Sequence, residues 1–527
     1  MTDSTLFLGG RIFTGRGYCE ALLVEDGEVL VAGNESEARH AAAPGTEPRS
    51  LAGGLLLPGL IDAHVHVADV TRAREGLQLG AVNSVDGLVE SLRRWGEDHP
   101  SGPVVARGWD PERSAGREWP SRGDLDRAVP DRPAIVTHVS GHALVVNSAV
   151  LAAAGFDRAT PDPPGGRLGR EVDGTPDGRV FEGAIRALES RVPFREVPDP
   201  AALRRTLLWT ASLGLTTLGA MSATPEEAVA LRELAAAGSL PGRVRVYLRA
   251  DRWEEYFRAP AGPRGSPGRY AVVGVKEYAD GAFGTRTAWL SEPYADDPST
   301  AGMPVADDDG MRALLEAIGR RGLVPAFHAI GDRAIANTLG LLDTFPRKFA
   351  APARIEHAAL TPPDLVEMLS RARPTLVVQP GFVWSDHWLE ARLGRSRARW
   401  AYAFRTLIER GVPLVGSSDA PYDPVDPWRG IAAAVRRRGP DGRSANPTPE
   451  ESLTPEQAIT LYTANAGLAF GEPNLGVLEP GSPADLVVLG SATLEGAIRA
   501  GSATVRETWV AGKPVAQGAG APEEQRV

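Results

Sequence analysis

Short apolar runs separated by polar, Gly-containing turns occupy both ends of the chain, a pattern typical of small β-structures. At the N-terminal end, the runs cover residues 5–8, 21–24, 28–32 and 55–57. At the C-terminal end, they cover residues 484–489, 505–510 and 514–515. Because domain termini tend to lie close together, we predict that residues 1–57 and 475–527 together build one small β-sandwich domain.

Between these ends, helical stretches alternate with short apolar runs. Residues 311–320, for example, have a helical pattern and precede the apolar run 323–327. Such alternation predicts an α/β fold, and its spacing fits a (β/α)8 TIM-type barrel over residues 58–474. Residues 102–200, approximately, interrupt this rhythm with many Gly, Pro and Arg residues. We interpret that region as an inserted subdomain or lid.

Composition narrows the class of function. The 527 residues are 43% hydrophobic and 24% charged, which is typical of a globular protein that buries a large core. With 57 basic and 67 acidic residues, the net charge of -10 argues against nucleic acid or an anionic membrane as the main partner. No apolar run approaches the roughly 18 residues of a membrane helix, and the first residues lack a basic secretory start. We therefore expect a cytoplasmic protein with a small-molecule substrate, and self-association stays open.

A metal site in this chain must use nitrogen and oxygen ligands. Cys19 is the single cysteine, which excludes an internal disulfide and a Cys-rich zinc site. At the end of the apolar run 54–61 stand His64 and His66. Strand side chains alternate with period two, so both imidazoles point to one side and can reach one metal. Taken alone, the pair is equally consistent with two partly exposed histidines at a strand end.

Further residues of the ligand type stand where other barrel strands should end. They are Lys276, His328, His357 and Asp419. Barrel enzymes gather their catalytic groups at the carboxyl ends of the strands. Together with the histidine pair, six residues distant in sequence could therefore converge on one site.

Six short motifs follow one another along nearly the whole chain. They are LPGLIDAHVH (57–66), VK (275–276) with DG (280–281), HAIGDRA (328–334), IEHA (355–358), GSSDAP (416–421) and GVLEPGSPADLVV (476–488). With these motifs the sequence resembles the amidohydrolase superfamily, and more closely its family 3 branch, which includes N-substituted formamide deformylase-like enzymes.

The resemblance implies a binuclear centre, commonly zinc, in a barrel with a β-sandwich. By that likeness, one metal is held by His64, His66 and Asp419, the other is held by His328 and His357, and the two are bridged by Lys276 as its carbamate. A carbamate offers two anionic oxygens, whereas an ammonium has no lone pair and repels a cation. The alternative is an ordinary buried Lys276 paired with Glu277 or Asp280.

Asp419 is the candidate catalytic residue. A carboxylate beside a metal-activated water can accept its proton and deliver that proton to a leaving nitrogen. Alternatively, Asp419 caps a helix N-terminus. We therefore expect a metal-dependent hydrolase that cleaves a non-peptide C–N bond, an amide or N-acyl amine, by metal-activated hydroxide. The alternatives are a cyclic amidase or deaminase, a metal-dependent isomerase, lyase or decarboxylase, and a non-catalytic binding protein on the same fold.

Six other residues are weaker candidates. For substrate binding they are His142, Trp109, Asp110, Arg286 and Trp384, and for orienting His328 the candidate is Asp332, four residues further along. We expect His142 to line the substrate pocket, and each of the other five has a structural alternative. Trp109 and Trp384 could be packing residues, Asp110 a turn residue, Arg286 half of a surface ion pair, and Asp332 a charge at a helix N-terminus.

Overall fold

The N-terminal segment forms seven strands that belong to two sheets. The computed structural model describes residues 4–114, 116–194, 197–258, 268–343, 352–446 and 448–518. The strands are β1 (Ser4–Leu8), β2 (Arg11–Phe13), β3 (Tyr18–Cys19), β4 (Ala21–Glu25), β5 (Glu28–Gly33), β6 (Pro48–Ser50) and β7 (Leu55–Pro58), and α1 (Glu35–Ala41) follows β5. The first sheet has the order β5-β4-β1-β6. The four apolar runs predicted in this segment are thus confirmed as strands.

A separate sheet is inserted after the first barrel strand, β8 (Leu60–Val65). Its strands are β9 (Leu77–Gln78), β10 (Val104–Trp109), β11 (Ala134–His138), β12 (Ala143–Val146), β13 (Gly166–Arg170) and β14 (Pro176–Glu182), in the order β13-β14-β12-β11-β10-β9. The helices of this region are α2 (Val67–Glu75), α3 (Val85–Asp98), α4 (Arg122–Ala128), α5 (Ser148–Ala154) and α6 (Gly183–Glu189), with a 3-10 turn at Pro111–Arg113.

The inserted sheet has an apolar cluster on each face. Leu88 and Leu125 of α3 and α4 pack with Val136 on one face, and Leu151 of α5 packs with Ile135 on the other. Such a two-sided core explains why β11 is a continuous buried run rather than an alternating one. The sheet includes Leu77–Gln78, so it begins upstream of the start that we predicted near residue 102.

Eight parallel strands form the predicted barrel. After β8 these are β15 (Leu215–Ala223), β16 (Arg243–Arg249), β17 (Tyr270–Tyr278), β18 (Val324–Ala329), β19 (Arg354–His357), β20 (Thr375–Val378) and β21 (Leu414–Gly416), which pair in chain order. Beyond the end of β21, the amide of Asp419 donates to the carbonyl oxygen of His64 at 2.8 Å. This bond links the two edge strands, so the barrel is nearly closed.

Helices connect the barrel strands and cover their outer side. They are α7 (Pro200–Ser212), α8 (Pro225–Ala236), α9 (Trp253–Arg258), α10 (Asp308–Gly319), α11 (Asp332–Asp343), α12 (Pro363–Ala372), α13 (Phe382–Ser385), α14 (Leu389–Leu393), α15 (Arg395–Ala398), α16 (Phe404–Glu409), α17 (Pro427–Arg436), α18 (Pro455–Leu461) and α19 (Ala464–Leu468), with a 3-10 turn at Pro449–Glu451. The predicted helix at 311–320 is α10. It begins after Asp307, whose carboxylate accepts from the amide of Gly310 at 2.7 Å.

The C-terminal segment returns to the N-terminal strands. It contains β22 (Leu486–Leu489), α20 (Leu494–Ala500), a 3-10 turn at Gly501–Thr504, β23 (Val505–Val510) and β24 (Lys513–Gln517). The resulting sheet has the order β24-β23-β22-β7-β2-β3, so both chain ends share it. Phe7 of the first sheet packs edge-on against Trp509 of this one, with ring centroids 5.2 Å apart. A sandwich domain with the boundaries 1–57 and 475–527 stays a prediction.

Among the residues that the structure describes, no helix combines the length and the apolar character needed to cross a membrane.

Candidate metal centre

The six predicted ligand residues lie at the carboxyl ends of barrel strands and line one cavity. They are His64, His66, Lys276, His328, His357 and Asp419. Four of them form a chain of ring contacts, with centroid distances of 5.4 Å for His66 to His64, 5.1 Å for His64 to His357, and 4.4 Å for His357 to His328. The fold therefore brings these six side chains together in one cavity. Their roles as metal ligands stay a prediction.

The tightest set of donors combines His64, His357 and Asp419. One ligand atom from each of these buried residues lies within 4.8 Å of the other two. Asp419 Oδ1 is 3.1 Å from Nε2 of His64 and also 3.1 Å from Nε2 of His66. This set crosses the division that the resemblance implied, in which His357 belonged to the other metal.

A buried ion pair orients His64. Glu356 accepts the Nδ1–H of His64 through Oε2 at 2.7 Å. The guanidinium of Arg354 donates to both carboxylate oxygens of Glu356, at 2.8 and 3.0 Å, and to the carbonyl of Ala63 at 2.9 Å. Burial raises the pKa of Glu356, but Arg354 and His64 outweigh it and lower that pKa to about 2. The ionised carboxylate therefore fixes the tautomer of His64 and directs Nε2 into the cavity.

The orientation of His64 leaves a nitrogen that suits a metal. Its Nε2 is buried and has no hydrogen-bond partner among the described residues. Buried polar atoms are rarely left without a partner in native proteins. The lone pair of Nε2 faces a carboxylate oxygen of Asp419 and the imidazole of His357. A divalent cation bound between these groups would satisfy that lone pair.

His357 and His328 are also oriented by hydrogen bonds from one ring nitrogen. His357 Nδ1 bonds Gln379 Oε1 at 2.7 Å, and Gln379 in turn donates to Ser417 Oγ at 3.0 Å. His328 donates its Nε2–H to the carbonyl of Gly281 at 3.0 Å, which leaves its Nδ1 as a lone-pair donor. Burial lowers the pKa of His357 to about 3 and that of His328 well below its usual range. Both imidazoles are therefore neutral at pH 7, as metal ligation requires.

The turns that carry two of these donors have an unusual backbone. His357 has φ 73° and Asp419 has φ 59°, in the left-handed region that costs a non-glycine residue about 1–3 kcal/mol.

Burial raises the pKa of Asp419, but His64 and His66 reverse the shift and hold it well below its usual range. The predicted alternative, a helix cap, does not describe Asp419, because α17 is capped by Asp426.

Lys276 is buried at the wall of the same cavity. Its Nζ lies 4.6 Å from the ring centroid of Tyr278. The two carboxylates proposed as its ordinary partners are bound elsewhere. Glu277 pairs with Arg186 at 2.6 Å, and Asp280 accepts the backbone amides of Trp289, Ile330 and Gly331 at 2.8–2.9 Å. The structure therefore favours a role for Lys276 in the cavity over a salt bridge with either acid.

The inserted sheet contributes His142. Its ring centroid is 4.9 Å from that of His328, and its Nδ1 lies 2.8 Å from Oε2 of Glu182. Glu182 has φ 51° and also accepts from the hydroxyl of Thr287. Burial lowers the pKa of His142, but Glu182 outweighs it and the net shift is upward. His142 thus presents Nε2 to the cavity beside the predicted ligands.

Three of the weaker candidates, Trp109, Arg286 and Trp384, line neither of the cavities that contain the histidine cluster. Trp109 is fully buried in the core of the inserted sheet. Arg286 pairs with Asp296 at 2.9 Å, and the ring of Trp384 lies 5.4 Å from the guanidinium of Arg429. These contacts match the structural alternatives for Trp109, Arg286 and Trp384.

Asp332 does not contact His328, contrary to the prediction that it orients this ring. Its carboxylate accepts from the amide and the hydroxyl of Ser291, the amide bond measuring 3.0 Å. The ring nitrogen of His328 bonds Gly281 instead, with Asp280 Oδ1 at 3.7 Å. Three supporting residues were missed: Glu356, Gln379 and Asp280. The DG motif could have pointed to Asp280, and the position next to His357 could have pointed to Glu356. No sequence signal pointed to Gln379.

Two chambers meet at this centre. The larger has a cavity volume of about 130 Å³, and the second has about 120 Å³. His142, His328, His357 and Asp419 line both, so these residues form the shared wall. Asp110 lines the second chamber. A molecule that reaches the shared wall can therefore extend into either chamber.

The comparisons with known proteins agree with this geometry. The family model described as "Amidohydrolase family" matches residues 49–516, and the chain belongs to that family. The chain is 35% identical over 492 residues to YtcJ of Bacillus subtilis (strain 168), covering 89% of this chain and 90% of that protein. It is 27% identical over 501 residues to the N-substituted formamide deformylase of Arthrobacter pascens, with 91% of each covered.

A solved structure shares the fold. It is an uncharacterized metal-dependent hydrolase from Pyrococcus horikoshii OT3, with a TM-score of 0.74 and 29% sequence identity. The similarity covers 91% of this chain and 96% of that one. The likeness therefore extends over most of both chains.

Proposed function

We propose that this protein is a metal-dependent hydrolase that cleaves a non-peptide C–N bond, an amide or N-acyl amine, in a small molecule. The observation that carries the proposal is the buried Nε2 of His64, which lacks a partner among the described residues and faces Asp419 and His357 within 4.8 Å. Membership of the amidohydrolase family and the deformylase relative support the bond type.

The donor set fits a pair of divalent cations. We assign His64, His66 and Asp419 to one zinc ion, His328 and His357 to the other, and a carboxylated Lys276 to the bridge. When bound, such metals lower the pKa of a water molecule and polarise a carbonyl group. The short distances between His64, His357 and Asp419 support two neighbouring metal sites.

The protein's own residues then move the protons. Asp419 stays ionised at neutral pH and can accept a proton from the attacking water and return it to the leaving nitrogen. His142 is favoured in its cationic form by Glu182, so its Nε2–H can donate to the oxygen that gains negative charge. The water supplies the new C–O bond, and the amine leaves with the transferred proton.

Product analysis in labelled water tests this proposal. Zinc-loaded protein is incubated with a panel of N-acyl amines in H2(18)O, and we expect one labelled oxygen in the carboxylate product. Asp419→Asn should keep most of the metal and lose about 10²–10⁴-fold in turnover, whereas Asp364→Asn, an exposed carboxylate on α12, should behave as wild type. Rearranged or unlabelled products would favour an isomerase or lyase. Less than roughly one metal per chain without any hydrolysis would favour a binding protein.

A further inference from the structure

The second chamber combines aromatic walls with carboxylates. We call it the aromatic chamber. Aromatic rings are supplied by Phe283, Phe382, Trp388 and Tyr402. Besides Asp419 of the shared wall, three carboxylates line the chamber, those of Asp110, Glu112 and Asp386. The apolar part of a ligand fits such walls. The carboxylates add a negative potential, which is screened less inside a cavity than at a water-exposed surface.

Two of the three carboxylates lack a cationic partner. Glu112 pairs with Arg392, which also pairs with Asp296 and lies over the ring of Trp388. Asp386 accepts the hydroxyl of Tyr402 at 2.6 Å, and Asp110 accepts the amide of Glu112 at 3.0 Å. Across the described ranges of the chain, neither Asp386 nor Asp110 forms an ion pair.

Neighbouring charges do not neutralise this pair. Burial raises the pKa of Asp386 to about 7, and repulsion from Asp423 and Asp110 acts in the same direction. The pKa of Asp110 is also raised by burial, against a weaker pull from Arg113 and His387. Asp423 is itself engaged by Arg429 at 3.3 Å. The chamber therefore holds uncompensated acid groups at a cost in stability.

The larger chamber is balanced by contrast. Apart from Asp419 of the shared wall, its carboxylates are matched with cations in the pairs Glu182–His142, Glu227–Arg72, Glu189–Arg249, Asp251–Arg249 and Asp69–Arg107. The excess of negative charge is thus confined to one side of the shared wall. A substrate that spans the wall would meet different chemistry at its two halves.

We propose that the aromatic chamber binds a positively charged half of the substrate, so that this enzyme prefers amides or N-acyl amines that carry a second, protonated amine on an aromatic or aliphatic frame. The cation would offset the charges of Asp386 and Asp110, and the rings would cover its apolar frame and attract the charge. This inference rests on the proposed function, because it places the scissile bond at the wall that both chambers share.

Binding of a cation and its neutral isostere tests the charge preference without turnover. Full-length, metal-loaded protein is titrated with benzylammonium and with benzyl alcohol by calorimetry at pH 8. We expect the cation to bind at least tenfold more tightly. Asp386→Asn and Asp110→Asn should each reduce that ratio severalfold, while Asp364→Asn should leave it unchanged. Equal affinities, no binding of either probe, or a ratio that survives both cavity substitutions would overturn the inference.

A matched pair of substrates separates this inference from the proposed function. The N-formyl derivatives of 4-(aminomethyl)benzylamine and 4-(hydroxymethyl)benzylamine differ in one charge. We expect kcat/KM to be at least tenfold higher for the charged compound. Hydrolysis of both at equal rates would overturn the charge preference and leave the hydrolase assignment intact. Tight binding of benzylammonium without hydrolysis of any N-acyl amine would instead refute the hydrolase assignment alone.

Discussion

Removing the charge of Glu356 should destabilise the barrel and weaken the metal centre. Glu356 and Arg354 are both fully buried, and two hydrogen bonds of 2.8 and 3.0 Å join them. In Glu356→Gln the side-chain volume is kept and the amide oxygen can still accept from His64. The change therefore leaves the Arg354 guanidinium with an uncompensated buried charge, which typically costs about 3–5 kcal/mol.

Urea unfolding of metal-free protein measures that cost, with tryptophan fluorescence as the probe and a chelator present. The matched control is Glu367→Gln, which breaks an exposed ion pair with Arg371 and should cost about 0–1 kcal/mol. If the two variants unfold at the same urea concentration, the buried pair does not stabilise the fold as argued.

A second substitution separates lost charge from lost packing. Adding Arg354→Met to Glu356→Gln removes the stranded cation, so the double variant should recover part of the stability that Glu356→Gln loses. Zinc affinity should stay reduced about 10–100-fold in both variants, because neither contains the carboxylate that orients His64. A double variant less stable than the single one would show that packing, not charge, dominates.

Three other substitutions probe the bridge, the barrel and the aromatic chamber. Lys276→Ala should lose metal and regain part of its activity with added short carboxylates, as measured by metal analysis and turnover; full metal content in the unsupplemented variant would contradict the bridge. In Gly219→Ala a new Cβ would lie 2.2 Å from the carbonyl oxygen of Ala63, so the variant should unfold earlier and bind less zinc, and wild-type behaviour in both assays would contradict the packing.

For Asp386→Asn the sign follows from the folded pKa of about 7, which lies above the unfolded value of 3.8. Between these values the unfolded chain releases a proton that the folded chain retains, so wild type loses stability as the pH rises. The free energy of unfolding of the variant, relative to that of wild type, should therefore rise by roughly 1–4 kcal/mol as the pH is raised from about 4 to about 8. Thermal unfolding at both pH values measures this change. A gain that is the same at both pH values would contradict the raised pKa.

The barrel could be predicted because its signals are local. The run 323–327, for example, is short, apolar and preceded by a helical pattern, and the structure has a strand over Val324–Ala329. The candidate metal ligands could also be found from the sequence, since each stands at or just after the end of such a run. Parallel strands in a closed barrel then bring their carboxyl ends together.

The supporting contacts could not be predicted because they join distant parts of the chain. The partner of His64 is Glu356, 292 positions away, and the two meet only when β8 and β19 share the barrel. The expectation for Asp332 assumed that four residues of spacing would bring it under His328. The loop carrying Ser291 occupies that carboxylate instead.

The insertion shows a different limit of sequence reasoning. Its many Gly, Pro and Arg residues suggested a lid, although β11 is buried along its whole length. The position of His142 beside His328 depends on how that sheet packs on the barrel, which no local pattern encodes. The same holds for Trp109, whose burial inside the inserted sheet removes it from the pocket that was expected to contain it.

Anomalous diffraction at the zinc edge, from crystals of metal-loaded protein, tests the central claim most directly. We predict two adjacent peaks, one against His64, His66 and Asp419 and one against His328 and His357, with continuous electron density between Lys276 and both. Strong peaks elsewhere on the molecule, or an empty cavity in crystals grown with saturating zinc, would contradict it.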